Sequence, residues 1–430
     1  MLNCRGFDSY VTTEGDVRGV ILHRWAAFLI AVFMTSSIAA QSGGLRDRDP
    51  NLQATKKIAN DLQKASFHNG PFYLLSSIQL SDIGYEQEYF VPTDDHQGGL
   101  TLSIEAPQRF YFVPRKKSVY SIDFIPSVGI FDGGNTQRQF GYSLRGDAQY
   151  LFNHLYLDFY GATADRLRAF TGEINRVATQ KQNEFGLAGE FKYSSKTSAL
   201  FNVNYRTSDY PDDEYQPAGI PIDQLARNER NVRGAFQHKT FPRTSLRVAA
   251  EWSEYRFDNA PLKDSRREYV GFGANYDNGP FAASVEAGPA RLSFRDANQK
   301  EYEGVLANLN MSRRLGSRWT ASVEGARDVD FAIFIDNNYR VSTRGNLTLE
   351  FASTRKLTLR GSSTLEHDDY DVPVSGIRRH DDIRFNLIGW RYGLRRFRFG
   401  FDVGYYERTS NYVPGDQNGI RYIIHLSFTP

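Results

Sequence analysis

Two triplets near the carboxyl end, His367-Asp368-Asp369 and His380-Asp381-Asp382, carry the residue types that hydrolysis and cation binding use. They bracket one loop, so a hairpin brings them close. Asp94-Asp95-His96 repeats the composition in another loop. A carboxylate beside an imidazole can activate water as a general base. The same hard oxygens can hold a divalent cation from a lipopolysaccharide layer. The plainer reading, a solvated acidic loop, ranks first, cation binding second and hydrolysis at the rim third. No serine nucleophile elbow, zinc-protease signature or phosphate-binding glycine loop stands in a suitable context. Asp132-Gly133-Gly134 is turn chemistry. The chain is therefore expected to be no enzyme and to hold no cofactor.

The other candidates are charged residues placed at every second position of apolar segments. They include Arg145, Asp147, Asp158, Glu190 and Arg206 in the first half. Arg233, Arg247, Glu251, Glu286 and Glu324 follow, then Arg344, Glu350, Arg360 and Arg384, and last Arg398, Asp402, Arg421 and His425. Both signs are interspersed. Their alternation with apolar residues says what must position them. Leu246, Val248, Ala250 and Trp252 point one way while Arg247 and Glu251 point the other. Leu309 and Asn308, Trp319 and Thr320, Phe399 and Arg398, and Ile424 and His425 divide in the same manner. A repeat of two means strands with one apolar and one polar face.

The joints between these segments fall into two classes. Short polar turns are expected near residues 115–117, 153–154, 194–196, 240–243, 277–279, 314–317, 353–356 and 393–396. Long joints are expected at 86–99, 132–139, 166–181, 211–228, 258–266, 295–300, 332–338, 369–379 and 409–418. Alternating segments with short turns on one side and long loops on the other are the signature of a transmembrane barrel. The fold expected is all-β, an antiparallel up-and-down transmembrane β-barrel of about 18 strands. It starts near Phe72 and ends at Phe428, with short periplasmic turns, long outer loops and both termini in the periplasm. The charged residues above then line the lumen. Tyr150, Tyr156, Trp319, Trp390 and Tyr392 are expected in interface girdles.

Composition agrees. The 430 residues are 14% aromatic, with 25 Tyr and 31 Phe, types that suit strands and membrane boundaries. A net charge of +2 argues against a nucleic-acid partner. Residues 1–40 read as a signal peptide. Arg18, His23 and Arg24 form a basic region, Trp25 to Met34 an apolar core, and Ser37, Ala39 and Ala40 a small-residue cleavage site. The polar stretch before it points to translation starting near Val20. The single cysteine, Cys4, lies upstream of that site. Residues 41–70 form a periplasmic segment in which Asn51 to Lys64 can make an amphipathic helix. A leader helix outside the barrel is preferred to one entering its mouth as a plug. The barrel itself occupies 71–430. The expected surroundings are lipid and lipopolysaccharide of the Gram-negative outer membrane, the barrel-assembly machinery and a polysaccharide.

Gly404-Tyr-Tyr-Glu-Arg-Thr-Ser-Asn411, then Gly415-Asp416, Asn418-Gly-Ile-Arg-Tyr422 and Leu426-Ser-Phe428, together with Asp368-Asp-Tyr-Asp371, carry a resemblance. Over roughly residues 70–430 the chain resembles the β-barrel porin type 2 family, outer-membrane barrels associated with exopolysaccharide operons. The resemblance implies an outer-membrane location and a link to polysaccharide secretion. It brings no catalytic residues. The chain departs from the usual barrel ending in that Thr429-Pro430 follow the aromatic Phe428.

Overall fold

The computed structural model describes residues 58–86, 99–115, 117–132, 136–169, 177–211, 222–333, 337–374, 377–411 and 417–429. The expected signal segment and the Asp94-Asp95-His96 triplet lie outside these residues. The described residues open with a short helical stretch at 58–63. The chain continues through β1 (Phe67–Asn69), β2 (Phe72–Ser76), β3 (Ile78–Glu86), β4 (Gly99–Glu105) and β5 (Gln108–Arg115). Next come β6 (Ser118–Asp132), β7 (Thr136–Leu151), β8 (Leu155–Ala169), β9 (Val177–Lys192) and β10 (Thr197–Asp209). A 3-10 turn at Ile222–Leu225 precedes β11 (Arg227–Phe241) and β12 (Thr244–Phe257), and another at Pro261–Lys263 precedes β13 (Ser265–Asp277). The rest are β14 (Phe281–Phe294), β15 (Tyr302–Leu315), β16 (Trp319–Phe331), β17 (Tyr339–Ala352), β18 (Leu357–Val374), β19 (Ile377–Leu394), β20 (Phe397–Ser410) and β21 (Gln417–Phe428).

All pairings are antiparallel, and each strand pairs with its sequence neighbour around the wall. Two wall strands are each broken once. Pro107 has no N–H to give the ladder, so β4 and β5 part at Ala106-Pro107. The gap is bridged by Ser77 N–H donating to the Pro107 carbonyl (3.0 Å) and Ala106 N–H to that of Pro126 (3.1 Å). Strands β2 and β3 part opposite it, at Ser77. Counted as single strands, with β1 set aside as an extra arm on β2, they give an eighteen-stranded wall. Its last strand returns to its first, Phe428 opposite Ile78 and Ile424 opposite Ile83. Among the described residues closure leaves no edge strand in the eighteen-stranded wall, the condition for a sheet to exist in lipid.

The outward face is apolar over a band and aromatic at its lower border. Phe72 stacks on Phe112 (4.8 Å), Phe191 meets Tyr193 edge to face (4.8 Å), and Trp319 with Phe351 (4.4 Å) and Phe397 with Phe428 (4.9 Å) pack at a tilt. All lie beside short turns, and Tyr150 joins them through Phe152 and Phe159. This ring marks the periplasmic interface of a transmembrane barrel. One short turn shows the required chemistry. Gly279 has φ 86°, Asp277 Oδ1 accepts its N–H (2.8 Å), and Asn278 Oδ1 accepts that of Phe281 (2.8 Å). The even-numbered, closed, lipid-banded wall is that of a Gram-negative outer-membrane protein.

Above the band the strands continue. On β18 the outward residues change from Leu357, Leu359 and Leu365 to His367 and Asp369. On β19 they change from Trp390 and Ile388 to Arg384 and Asp382. The long joint expected at 369–379 is therefore mostly strand, reaching Val374 and resuming at Ile377. Strand β7 likewise starts inside the joint expected at 132–139, and β8 and β9 extend into that at 166–181. The apolar half of the repeat stops where lipid stops, while the ladder hydrogen bonds do not.

Candidate pore lining

Outward Phe110, Leu144, Phe159, Val203, Val232, Leu246, Val285, Leu359, Phe399 and Tyr422 fix which alternate positions face in. By that parity Arg145, Asp147, Arg233, Arg247, Glu251, Glu324, Arg344, Glu350, Arg360, Arg398, Asp402 and Arg421 all face the lumen. Asp158, Glu190, Arg206, Glu286 and His425 do so too. Arg384 does not. Its side chain is 63% exposed on the outer face, 3.8 Å from outward Glu407. The polarity of Arg384 is that of the collar above the lipid, which a pattern of two faces alone does not distinguish from a lumen. Tyr156 is the reverse correction. It is 1% exposed and points inward, so it belongs to no girdle.

The inward charges are paired in series. Arg247 Nη2 lies 2.7 Å from Glu286, whose other oxygen meets Arg233 Nη2 at 2.7 Å. Arg233 Nη1 reaches Glu251 at 2.9 Å, and Glu251 accepts Arg267 Nη2 at 2.6 Å. Arg267 ends on Asp328 at 3.5 Å. The chain of contacts runs over β11 to β14 and ends on Asp328 of β16, with alternating sign, and Arg233 and Glu251 within it are direct cross-strand partners. Tyr269 adds its hydroxyl to Glu286 (3.1 Å). Elsewhere Arg206 binds Glu184 (3.1 Å), Arg145 binds Asp147 (2.7 Å), and Arg391 and His425 hold Asp402 at 2.7 and 2.9 Å. Single-residue reading missed Arg267, Asp328 and Arg391. Their signal was available, since each keeps the inward parity of a candidate on its own or a neighbouring strand.

The two acidic triplets meet, as the bracketing implied, but the strand splits them. His367 is opposite Asp382, Asp368 opposite Asp381 and Asp369 opposite His380. Alternation then sends Asp368 and Asp381 inward, both 0% exposed. His367, Asp369, His380 and Asp382 go outward, with His367 Nδ1 2.8 Å from Asp382. The six residues expected to form one rim set are thus on opposite sides of the wall. Among the described residues no group of three or more His, Asp or Glu is arranged to hold a metal ion. Inside, Asp368 pairs with Arg340. Asp381, above the lipid band, accepts from Arg379 (2.8 Å), Arg408 (2.5 Å), Ser410 (2.5 Å) and Tyr370 (3.1 Å). Burial alone would raise its carboxyl, but the two guanidiniums and the hydroxyl hold it down at about 2.

The outer half of the lumen is narrowed by the wall itself. Pairing of β15 with β16 stops at Ala307 and Arg327. Beyond it Val329, Phe331, Tyr339 and Val341 pack on lumen-facing Tyr255, Phe257, Leu292, Phe294 and Tyr302. The upper end of the β16–β17 hairpin therefore bends over the inner face of β12 to β15. Its Ile333 meets Tyr210, Ile222, Leu225 and Ala226 from the β10–β11 joint. Lys263 Nζ donates to the Ala332 carbonyl (2.5 Å), and Tyr339 donates its hydroxyl proton to the Glu301 carbonyl (3.2 Å). No sequence pattern indicated this bend. It needs apolar residues at positions that elsewhere face lipid, and in sequence these look like more of the lipid band.

The helical stretch at 58–63 also lies on the wall. Ile58 packs on Tyr111 and Val119, with Leu62, Tyr73, Leu75, Val113 and Leu151 around them. These wall residues face the lumen near the short turns. The last part of the 41–70 segment thus sits in the barrel mouth, where the sequence favoured a helix outside it.

No family model matches the chain, and no curated protein matches it either. Solved structures do. The OpdO structure of Pseudomonas aeruginosa shares 12% identity, covers 83% of this chain and 97% of its own, and superposes with a TM-score of 0.48. OccAB4 of Acinetobacter baumannii shares 10%, with 83% and 98% covered and a TM-score of 0.49. OccK2 (OpdF) of Pseudomonas aeruginosa, in complex with glucuronate, shares 12%, with 83% and 98% covered and a TM-score of 0.48. These are similarities over the length of the barrel, and no residue role passes from them to this chain.

Proposed function

We propose that the chain is an outer-membrane porin-like conduit that passes hydroxyl-rich solutes by diffusion, among them a secreted or surface polysaccharide or its fragments. The observation that carries this is the alternating series Arg247–Glu286–Arg233–Glu251–Arg267–Asp328 on the lumen wall. Paired charges offer an ion little net field. A lumen wall that sets guanidinium and carboxylate groups side by side is polar without a dominant sign, which suits neutral hydroxyl-rich solutes. Barrels of 16–18 strands are wide enough for an aqueous passage. Export by the 1–40 segment and insertion by the barrel-assembly machinery complete the reading, and the link to polysaccharide comes from the sequence resemblance.

Swelling of vesicles carrying the refolded protein tests it. Neutral oligosaccharides should enter at least as fast as charged ones of equal size. Entry of small ions without sugars would contradict the reading. The inward bend of β16–β17 favours a second reading, a surface barrel that binds polysaccharide at its outer end without transport. That reading predicts glycan binding with no swelling and no conductance.

A further inference from the structure

Resting on the porin-like reading, we propose that the segment Ile58–Lys64 is a built-in stopper of the periplasmic mouth, latched to the inner wall by Asp61. Three observations meet here. Asp61 Oδ2 accepts Arg109 Nη1 at 2.9 Å and the Tyr111 hydroxyl at 2.8 Å. Arg109 is itself fixed by Asp123, with Nη2 to Oδ2 at 2.6 Å, so the latch closes on a preset guanidinium. One turn away, Ile58 is buried against Tyr111 and Val119. The tether is short and ordered. Ser66 N–H donates to the Leu74 carbonyl (2.8 Å), and Gly70, at φ 56°, turns β1 back on β2. The segment is thereby held beside the entrance and on its inner face.

Parity settles the side. Phe72, Phe110, Phe112 and Ile122 are exposed outward, so Tyr73, Arg109, Tyr111, Val119 and Asp123 face in. Eighteen strands about 4.8 Å apart and tilted about 40° make a ring roughly 36 Å across at the backbone, about 20 Å between side chains. A helix about 10 Å thick then fills about a quarter of the mouth.

The test uses full-length protein in planar bilayers. Asp61→Lys places a cation beside Arg109 and should release the segment. Its single-channel steps should exceed those of the unaltered protein, about 1.3-fold where the mouth limits flow. The pair Ile58→Cys and Val119→Cys, with Cys4 absent after export or replaced, fixes the segment instead. It should crosslink on oxidation, and its steps should grow only after reduction of an otherwise unlatched Asp61→Lys background. Failure to crosslink, or equal steps in latched and released forms, overturns the stopper and leaves the porin reading standing. No steps in any form, released protein included, removes the porin reading and this inference with it.

Discussion

A change at Leu309 tests the register of the wall. Leu309 on β15 faces lipid between Val285 of β14 and Gly325 of β16. Strand β15 ends at Leu315, near the periplasmic aromatic ring. At ~3.4 Å per residue and a tilt of about 40°, Leu309 stands roughly 15 Å above that end, near the middle of a ~25 Å apolar band. Leu309→Arg should therefore cost about 2–4 kcal/mol. Asn308 faces the lumen opposite Glu286 and donates nothing to lipid. Asn308→Arg gains water and a carboxylate neighbour, and should change stability by under about 1 kcal/mol. Urea unfolding in lipid vesicles measures both. Trp252, Trp319 and Trp390 lie on lipid-facing parity, so their fluorescence reports loss of the wall. Equal costs, or a larger cost at Asn308, would refute the assignment of faces.

Three further outcomes follow from single sites. Asp402→Leu leaves Arg391 and His425 without their shared carboxylate. It should cost about 2–3 kcal/mol in the same unfolding assay, just below the range of about 3–5 kcal/mol for a fully buried pair because Arg391 is partly exposed. Asp381 has its pKa lowered to about 2, so its contribution is present above the unfolded value of about 3.9 and is lost as pH falls through the folded one. Hydrogen-exchange protection at the upper ends of β19 and β20, corrected for the intrinsic pH dependence of the exchange rate, should stay constant from neutral pH to about 4 and fall between about 4 and 2. Asp381→Asn should remove that step. Arg395 occupies φ 43° in the β19–β20 turn, a conformation that costs an L-residue about 1 kcal/mol. Arg395→Gly should raise stability by up to about that amount, and a loss would show that the Arg395 side chain has a contact of its own.

How much was legible depended on how local the cause was. Alternation at Leu246 to Trp252 or Phe397 to Val403 is a property of neighbouring residues, so the strands, their faces and both ends of the barrel, Phe72 and Phe428, could be read directly. So could most of the lumen charges, because Arg233 and Glu251 each follow from the parity of their own strand. Four features have non-local causes. Arg384 faces outward because β19 rises past the lipid, and the height of the bilayer is not written in any one strand. The split of His367-Asp368-Asp369 follows from the ladder continuing where a loop was expected. The bend of β16–β17 and the docking of Ile58 depend on partners such as Phe294 and Tyr111, far along the chain and across the lumen.

Single-channel recording of the refolded protein with a salt gradient across a planar bilayer tests the central claim most directly. A porin whose wall charges cancel in pairs should give discrete, ohmic steps and a reversal potential near zero. Steps with strong selectivity for one ion sign would contradict the charge pairing, and silence from both the unaltered protein and Asp61→Lys would contradict the conduit.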